Sequence, residues 1–255
     1  LEQYIFQCED SLDGIFTAIY NAWDSGYGHK NIQIQFIDQM MNYQLFSKYI
    51  PVVTDYEKSE KVVRTIKKKI SVEAYETICR AAMTDRQDKA DAIYRFVILG
   101  IHYGSSIITN YSNPVVQTIF EMNRAVGNEV HHYTGFLRFS ELKNHVLYGK
   151  INPKNNVITL LAPHFADRLP VENWIIHDEV RQLAIVHQIG EGWVQVDTSE
   201  VDFSELGKIN NEEESLEQLW KSFVESIAIL ERTNYKLQRQ NLPIRFRRNM
   251  TEFTN

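Results

Sequence analysis

The sequence predicts an α+β protein: a helix-rich N-terminal block with a small strand element, then an antiparallel β meander flanked by C-terminal helices. Three observations carry this expectation. Apolar residues recur at helical spacing through residues 54 to 132; short β-rich runs separated by turn residues follow Gly135; and helical spacing returns at Leu216.

Taken in order, "YIFQC" reads as a short strand, and Leu12, Ile15, Phe16, Ile19 and Trp23 then fall on one helical face after a Ser11 cap. "IQIQF" (32–36) alternates with period two, as a half-buried strand returning beside the first would. Thr54 and Glu57 form a capping-box pattern for a helix running to about Lys69, and Thr84 with Gln87 offers a second for a helix through Ile93, Phe96, Val97 and Ile101. Asn113 followed by Pro114 has the N-cap and first-turn signature, with Val115, Ile119, Met122, Val126 and Val130 behind it. Beyond Gly135, "FLRF", "HVLYGKI", "NVITLLA", "NWIIHD", "RQLAIVHQI" and "GWVQVD" read as short strands joined by tight turns, hence antiparallel hairpins. "PHFADRL" interrupts them with one or two helical turns started by Pro163. "LEQLWKSFVESIAI" then places Leu216, Leu219, Trp220, Phe223 and Ile227 on one face of a closing helix, followed by a basic tail.

The 255 residues are 44% apolar and 24% charged, a globular composition that leaves no case for disorder or a fibrous repeat. Cys8 and Cys79 are the two cysteines and form no zinc spacing, which excludes a disulfide scaffold and fits a reducing cytoplasm. No leader-like N-terminal run is present, and the runs of consecutive apolar residues are far shorter than a bilayer span, so neither secretion nor a membrane partner is expected. The net charge of −6 is unevenly spread. Residues 200–217 carry seven acidic side chains against Lys208 alone, whereas basic residues gather in "KVVRTIKKK" (61–69) and after residue 231. A phosphate backbone would feel such local patches and not the sum.

Phosphate-binding, dinucleotide, zinc-protease and hydrolase-elbow motifs are missing, which argues against those enzyme classes. No metal site and no cofactor are expected. The basic C-terminal stretch offers one candidate site. On a continuous helix Arg232, Lys236 and Arg239 form a cationic stripe with Gln238 and Gln240 beside it, and Arg245, Arg247 and Arg248 follow after Pro243. A solvated helix face balancing the acidic 200–217 stretch is the alternative reading. A second candidate is "APHFADR": His164 as general base, oriented by Asp167, with Arg168 holding an anion; a structural ion-pair network is its alternative. Glu129, His131 and His132 end a helix, where the dipole accounts for the histidines, and His177 with Asp178 reads as turn chemistry.

The strings "SLDGIFTAIYNAW", "GFLRF", "LYGKINPKNNVITLLAPHFADRLP", "WIIHD" and "WKSFVESIAILERTNYKLQRQNLPIRF" resemble, over nearly the whole chain, a bacterial family described as a DNA metabolism protein. The resemblance implies a gene neighbour encoding a radical SAM protein of DNA modification or repair, and therefore DNA and that protein as partners. It also divides the chain into an N-terminal segment, 1–84, and a family domain, 85–255, whose counterpart in some relatives is fused to a uracil-DNA glycosylase-like domain. Where the family pattern has "P-x-R-Y-W", this chain has Pro243, Arg245, Phe246 and Arg247. The reading that results is a DNA-associated protein binding nucleic acid through its basic C-terminal helix and tail, with radical chemistry in the partner. A hydrolase or lyase acting on a nucleotide or damaged base through His164, Asp167 and Arg168, and a protein-interaction module, are the other readings.

Overall fold

In the computed structural model of the chain, residues 2–37, 45–142, 145–200, 235–250 and 253 are described. They belong to two compact units, Leu1–Val126 and Gly127–Asn255.

The first unit is built on a three-stranded parallel sheet with β1 (Gln3–Cys8) in the centre, β2 (Ile32–Phe36) on one side and β3 (Ser47–Pro51) on the other. Parallel neighbours need a crossover, and α1 (Leu12–Asp24) supplies it between β1 and β2. Ser11 caps α1 as expected, its hydroxyl accepting from the Gly14 N–H at 3.0 Å. Ile5 to Cys8 form a continuous buried run, as a central parallel strand requires, while Ile32, Ile34 and Phe36 alternate inward. The sequence reading did not anticipate β3.

Among the described residues four further α-helices belong to this unit: α2 (Tyr56–Lys69), α3 (Val72–Ala82), α4 (Lys89–Tyr103) and the first part of α5 (Pro114–Phe136). Both expected capping boxes are displaced. Asp55 caps α2 by accepting from Glu57 N–H and Lys58 N–H, an ionised acceptor suited to the helix dipole, and Thr54 donates to Glu9 instead. α4 starts at Lys89 without a side-chain cap; the buried Lys89 ammonium donates to Thr84 O at 2.8 Å and pairs with Asp10 at 2.7 Å. The Asn113 cap of α5 forms as expected, accepting from Val115 N–H at 2.9 Å. α4 also closes the sheet edge at β2: Asp91 accepts from Ile34 N–H, and Arg95 donates to His29 O and Ile32 O. Lys89–Thr109 is long and apolar enough to cross a bilayer, yet Ala90, Ile93, Tyr94, Phe96 and Val97 are buried in the core of this unit. Gly100 lies against Ile70 so closely that an added Cβ would fall 2.4 Å from Ile70 Cδ1.

The second unit holds a five-stranded sheet of order β4 (Phe139–Glu141), β5 (Leu147–Ile151), β6 (Trp174–Asp178), β7 (Leu183–Gln188) and β8 (Gly192–Asp197). Its pairings are antiparallel except β5 with β6, which run parallel. That exception explains a misread segment. "NVITLLA" is not a strand, and Pro163 does not start a helix; α6 (Ile158–Arg168) contains Pro163. A parallel pair demands a crossover, and Ile158, Leu161, Ala162 and Phe165 bury one helical face, which outweighs the β preference of Val157, Ile158 and Thr159. "FLRF" likewise divides, Phe136 ending α5 and Phe139 opening β4. Trp174, fully buried, stacks on His187 with ring centroids 4.9 Å apart. Beyond β8, α7 (Tyr235–Asn241) and a helical turn, Ile244–Arg247, are described. The helix expected over 216–229 and Arg232 lie outside the described residues.

Candidate nucleic-acid interface

The candidate site is assembled on the end of α5. Glu129 is 1% exposed, and its carboxylate accepts from Lys154 N–H (2.9 Å), Asn155 N–H (2.8 Å) and Asn155 Nδ2 (2.7 Å). One turn on, the Tyr133 hydroxyl accepts from Asn152 N–H at 3.2 Å, and burial raises its pKa. Residues 152–155 are thereby clasped from the helix side. From the sheet side, Asp178 at the end of β6 accepts from Val180 and Arg181 N–H, and the Arg181 guanidinium donates to Asp178, Pro153 O and Lys154 O. Burial, the largest influence, raises the Asp178 pKa against these favourable contacts. The turn role expected of Asp178 is the one observed. His177 is instead buried in the sheet, 2.9 Å from the Tyr148 hydroxyl, and desolvation lowers its pKa.

The C-terminal segment closes over this clasp. Phe246 is 4% exposed and meets the rings of His132, Tyr133 and Phe136 at centroid distances of 4.9, 4.9 and 5.8 Å. Arg245 pairs with Glu129 at 3.2 Å, and Asn249 donates to Lys150 O and Asn152 Oδ1. Arg247 donates to Leu242 O, a carbonyl just past the end of α7, and lies over Phe253. Two of the expected DNA-contacting arginines, Arg245 and Arg247, therefore hold the segment in place. Arg248 is exposed and makes no hydrogen bond or ion pair with a described residue.

α7 is the opposite case. All seven residues are exposed, and Lys236, Gln238, Arg239 and Gln240 make no side-chain hydrogen bond or ion pair among the described residues. Lys236 and Arg239, three apart, share one face. Gln240 and Asn241 join His131, His132, Thr134 and Phe136 around a hollow of about 340 Å³. His132 lines it, with its Nδ1 buried and without a hydrogen-bond partner among the described residues. Desolvation first, then the Arg245 charge, lowers the His132 pKa, so the ring is neutral at pH 7. The hollow thus offers an uncharged imidazole and two amides, groups that can bond base edges, and the helix that supplies Gln240 and Asn241 also carries Lys236 and Arg239, which can meet phosphate.

His164, Asp167 and Arg168 stand elsewhere, exposed on the second half of α6. Among the described residues no hydrogen bond or ion pair joins them, and none of them lines the hollow; His164 meets only the edge of Phe165, at 5.0 Å. A general base without its orienting carboxylate lacks the geometry that role needs. Sequence reasoning missed the Glu129–Arg245 pair and the 152–155 clasp. A carboxylate four residues before Tyr133, on the face that also carries Val126, was the available signal. No group of three His, Cys, Asp or Glu suited to a metal occurs among the described residues.

No curated protein matches the chain. A family model matches residues 87–252, which takes in Glu129, the clasp, the hollow and the docked segment and leaves out β1 to α3. The chain belongs to that family, the domain of unknown function DUF4130.

Proposed function

We propose that the chain is a nucleic-acid-binding protein of DNA metabolism, acting in modification or repair beside a radical SAM partner that carries the radical chemistry. The observation supporting it is the exposed face of α7, where Lys236 and Arg239 have no side-chain partner among the described residues, while Gln240 and Asn241 at the end of the same helix line a hollow with His131 and His132. Free cations supply affinity for phosphate; Gln240, Asn241 and neutral His132 supply groups for a base edge. The DNA role and the partner come from the family resemblance of the sequence.

The test is fluorescence anisotropy of labelled single-stranded and duplex DNA between 50 and 200 mM salt. Wild-type affinity is expected to fall with salt, with a log-log slope near −0.9 per neutralised phosphate. Lys236→Ala/Arg239→Ala should weaken binding on every sequence and make that slope shallower by about 2. DNA binding that is absent, or indifferent to salt and to this pair, overturns the reading. An acidic protein surface that α7 binds more tightly than DNA does the same, and makes the chain an interaction module. Mixing the chain with the neighbouring radical SAM protein and DNA, scored by complex formation and product mass, tests the partner.

A further inference from the structure

The run "KVVRTIKKK" lies in the first unit, outside the family match, and its Lys61, Arg64, Lys67, Lys68 and Lys69 are exposed on α2 while Val62 and Ile66 turn inward. Beside it is an apolar groove of about 400 Å³ walled by Tyr20 and Trp23 of α1, Val62 and Ile66 of α2, and Val97 and Ile101 of α4. Lys61 and Lys69 stand on its lining, with Asp24 as the lone carboxylate. Trp23 is 46% exposed there, a large apolar surface left in water.

The charge around this groove is not balanced. α2 carries Lys58, Lys61, Arg64, Lys67, Lys68 and Lys69 against Glu57 and Glu60, and the Arg64–Glu60 bond is the one ion pair within it. Lys58 donates to Asn21 Oδ1, and Lys58 and Lys61 lie 5.5 and 5.7 Å from the Tyr20 ring centre. Lys61, Lys68 and Lys69 have no carboxylate partner among the described residues. The helix dipole accounts for basic residues in the last turn, but not for Lys61 near the middle, nor for an open apolar channel beside it.

We propose that this groove docks an acidic amphipathic helix of a partner protein. Lys61 to Lys69 spans about 12 Å of helix axis, two turns, which matches a guest helix placing apolar residues at i, i+3, i+4 and i+7 on the aliphatic floor and carboxylates toward the lysines. A nucleobase fits less well. Trp23 and Tyr20 already carry His29 and the two lysines, the floor is aliphatic, and the Thr65 hydroxyl is engaged with Lys61 O. A site of this kind works independently of α7, so the two proposals fail separately.

The probe is a labelled synthetic helix of about fourteen residues, four leucines at that spacing on a Glu/Ala background, titrated with the full chain by anisotropy. Binding is expected, weakened about tenfold or more by Lys61→Glu/Lys69→Glu and also by Trp23→Ala. Lys61 and Lys69 are exposed, so the charge reversal leaves folding intact, and a circular dichroism spectrum matching wild type qualifies Trp23→Ala, which loses its contact with His29. A Lys/Ala version of the helix should regain affinity for the charge-reversed variant, a response no structural role of these lysines would give. The proposal is overturned if the acidic helix does not bind, if the variants bind it equally, or if a scrambled helix of the same charge binds as well. Displacement of the helix by single-stranded DNA, with the same dependence on Lys61 and Lys69, would instead make the groove a nucleic-acid site and overturn it too.

Discussion

Residues 235–241 and 244–250 are neighbours in one basic string, yet they do opposite things. The first lies wholly exposed, its cations without a partner among the described residues; the second inserts Phe246 and Met250 into the second unit and ties Arg245 to a buried carboxylate. Basic composition therefore says little about role. What separates the two is the apolar residue between the charges: Phe246 finds three aromatic rings, whereas Tyr235 and Leu237 remain 70% and 52% exposed. A buried anchor fixes where its flanking arginines must go, and Glu129 is there to receive one.

The comparison breaks most visibly at the anchor. Phe246→Ala should cost about 3–5 kcal/mol of second-unit stability, the range for truncating a buried aromatic, read as a lower urea midpoint. A loss near zero would make the segment as loosely held as α7. Glu129→Gln comes next, at about 1–3 kcal/mol, because an amide cannot accept from three N–H groups and an arginine as the carboxylate does. Amide exchange at Lys154 and Asn155 should accelerate in that variant; unchanged protection would remove Glu129 from the clasp.

Acid sharpens the contrast by a smaller amount. His132 faces Arg245 and His131, which lower its pKa further, and Glu129, which opposes them; desolvation dominates. A folded pKa below the unfolded value means the unfolded chain takes the proton first. Stability is thus full above about pH 6.5 and falls below it, with a slope of at most about 1.4 kcal/mol per pH unit from this group. His132→Phe keeps a ring against Phe246 and should flatten part of that slope; identical pH profiles for variant and wild type would refute the assignment. The smallest expected effect on stability is that of Lys236→Ala/Arg239→Ala, within about 0.5 kcal/mol, since both side chains are exposed and neither has a partner among the described residues. A larger loss would show that α7 is structural.

Local signals in the sequence located what depends on local chemistry. Ser11 and Asn113 cap the helices they were expected to cap, and the alternation of "IQIQF" gave the inward residues of β2. Segments settled by distant partners were misread. "NVITLLA" became helix because β5 and β6 run parallel, which no local pattern encodes. Thr54 lost its cap role to Asp55, one residue on, because Glu9, far away in sequence, takes its hydroxyl. At the interface, Lys236, Gln238, Arg239 and Gln240 could be named from composition, but Arg245 could not be told from them until Glu129 was seen beneath it.

The docked segment also sets a timetable for synthesis. Asn249 bonds Lys150 across 99 positions of chain, and Phe246 closes on rings contributed near residue 133. The first unit has all its residues once Val126 is made, so it can fold while the ribosome is still working. The second unit must wait, its Glu129 carboxylate and its aromatic cleft open to water, until residue 250 has left the exit tunnel. During that interval the Glu129 carboxylate still lacks its arginine and the ring cluster stands open, so the pace of translation from residue 150 to residue 250 sets how long those surfaces meet water.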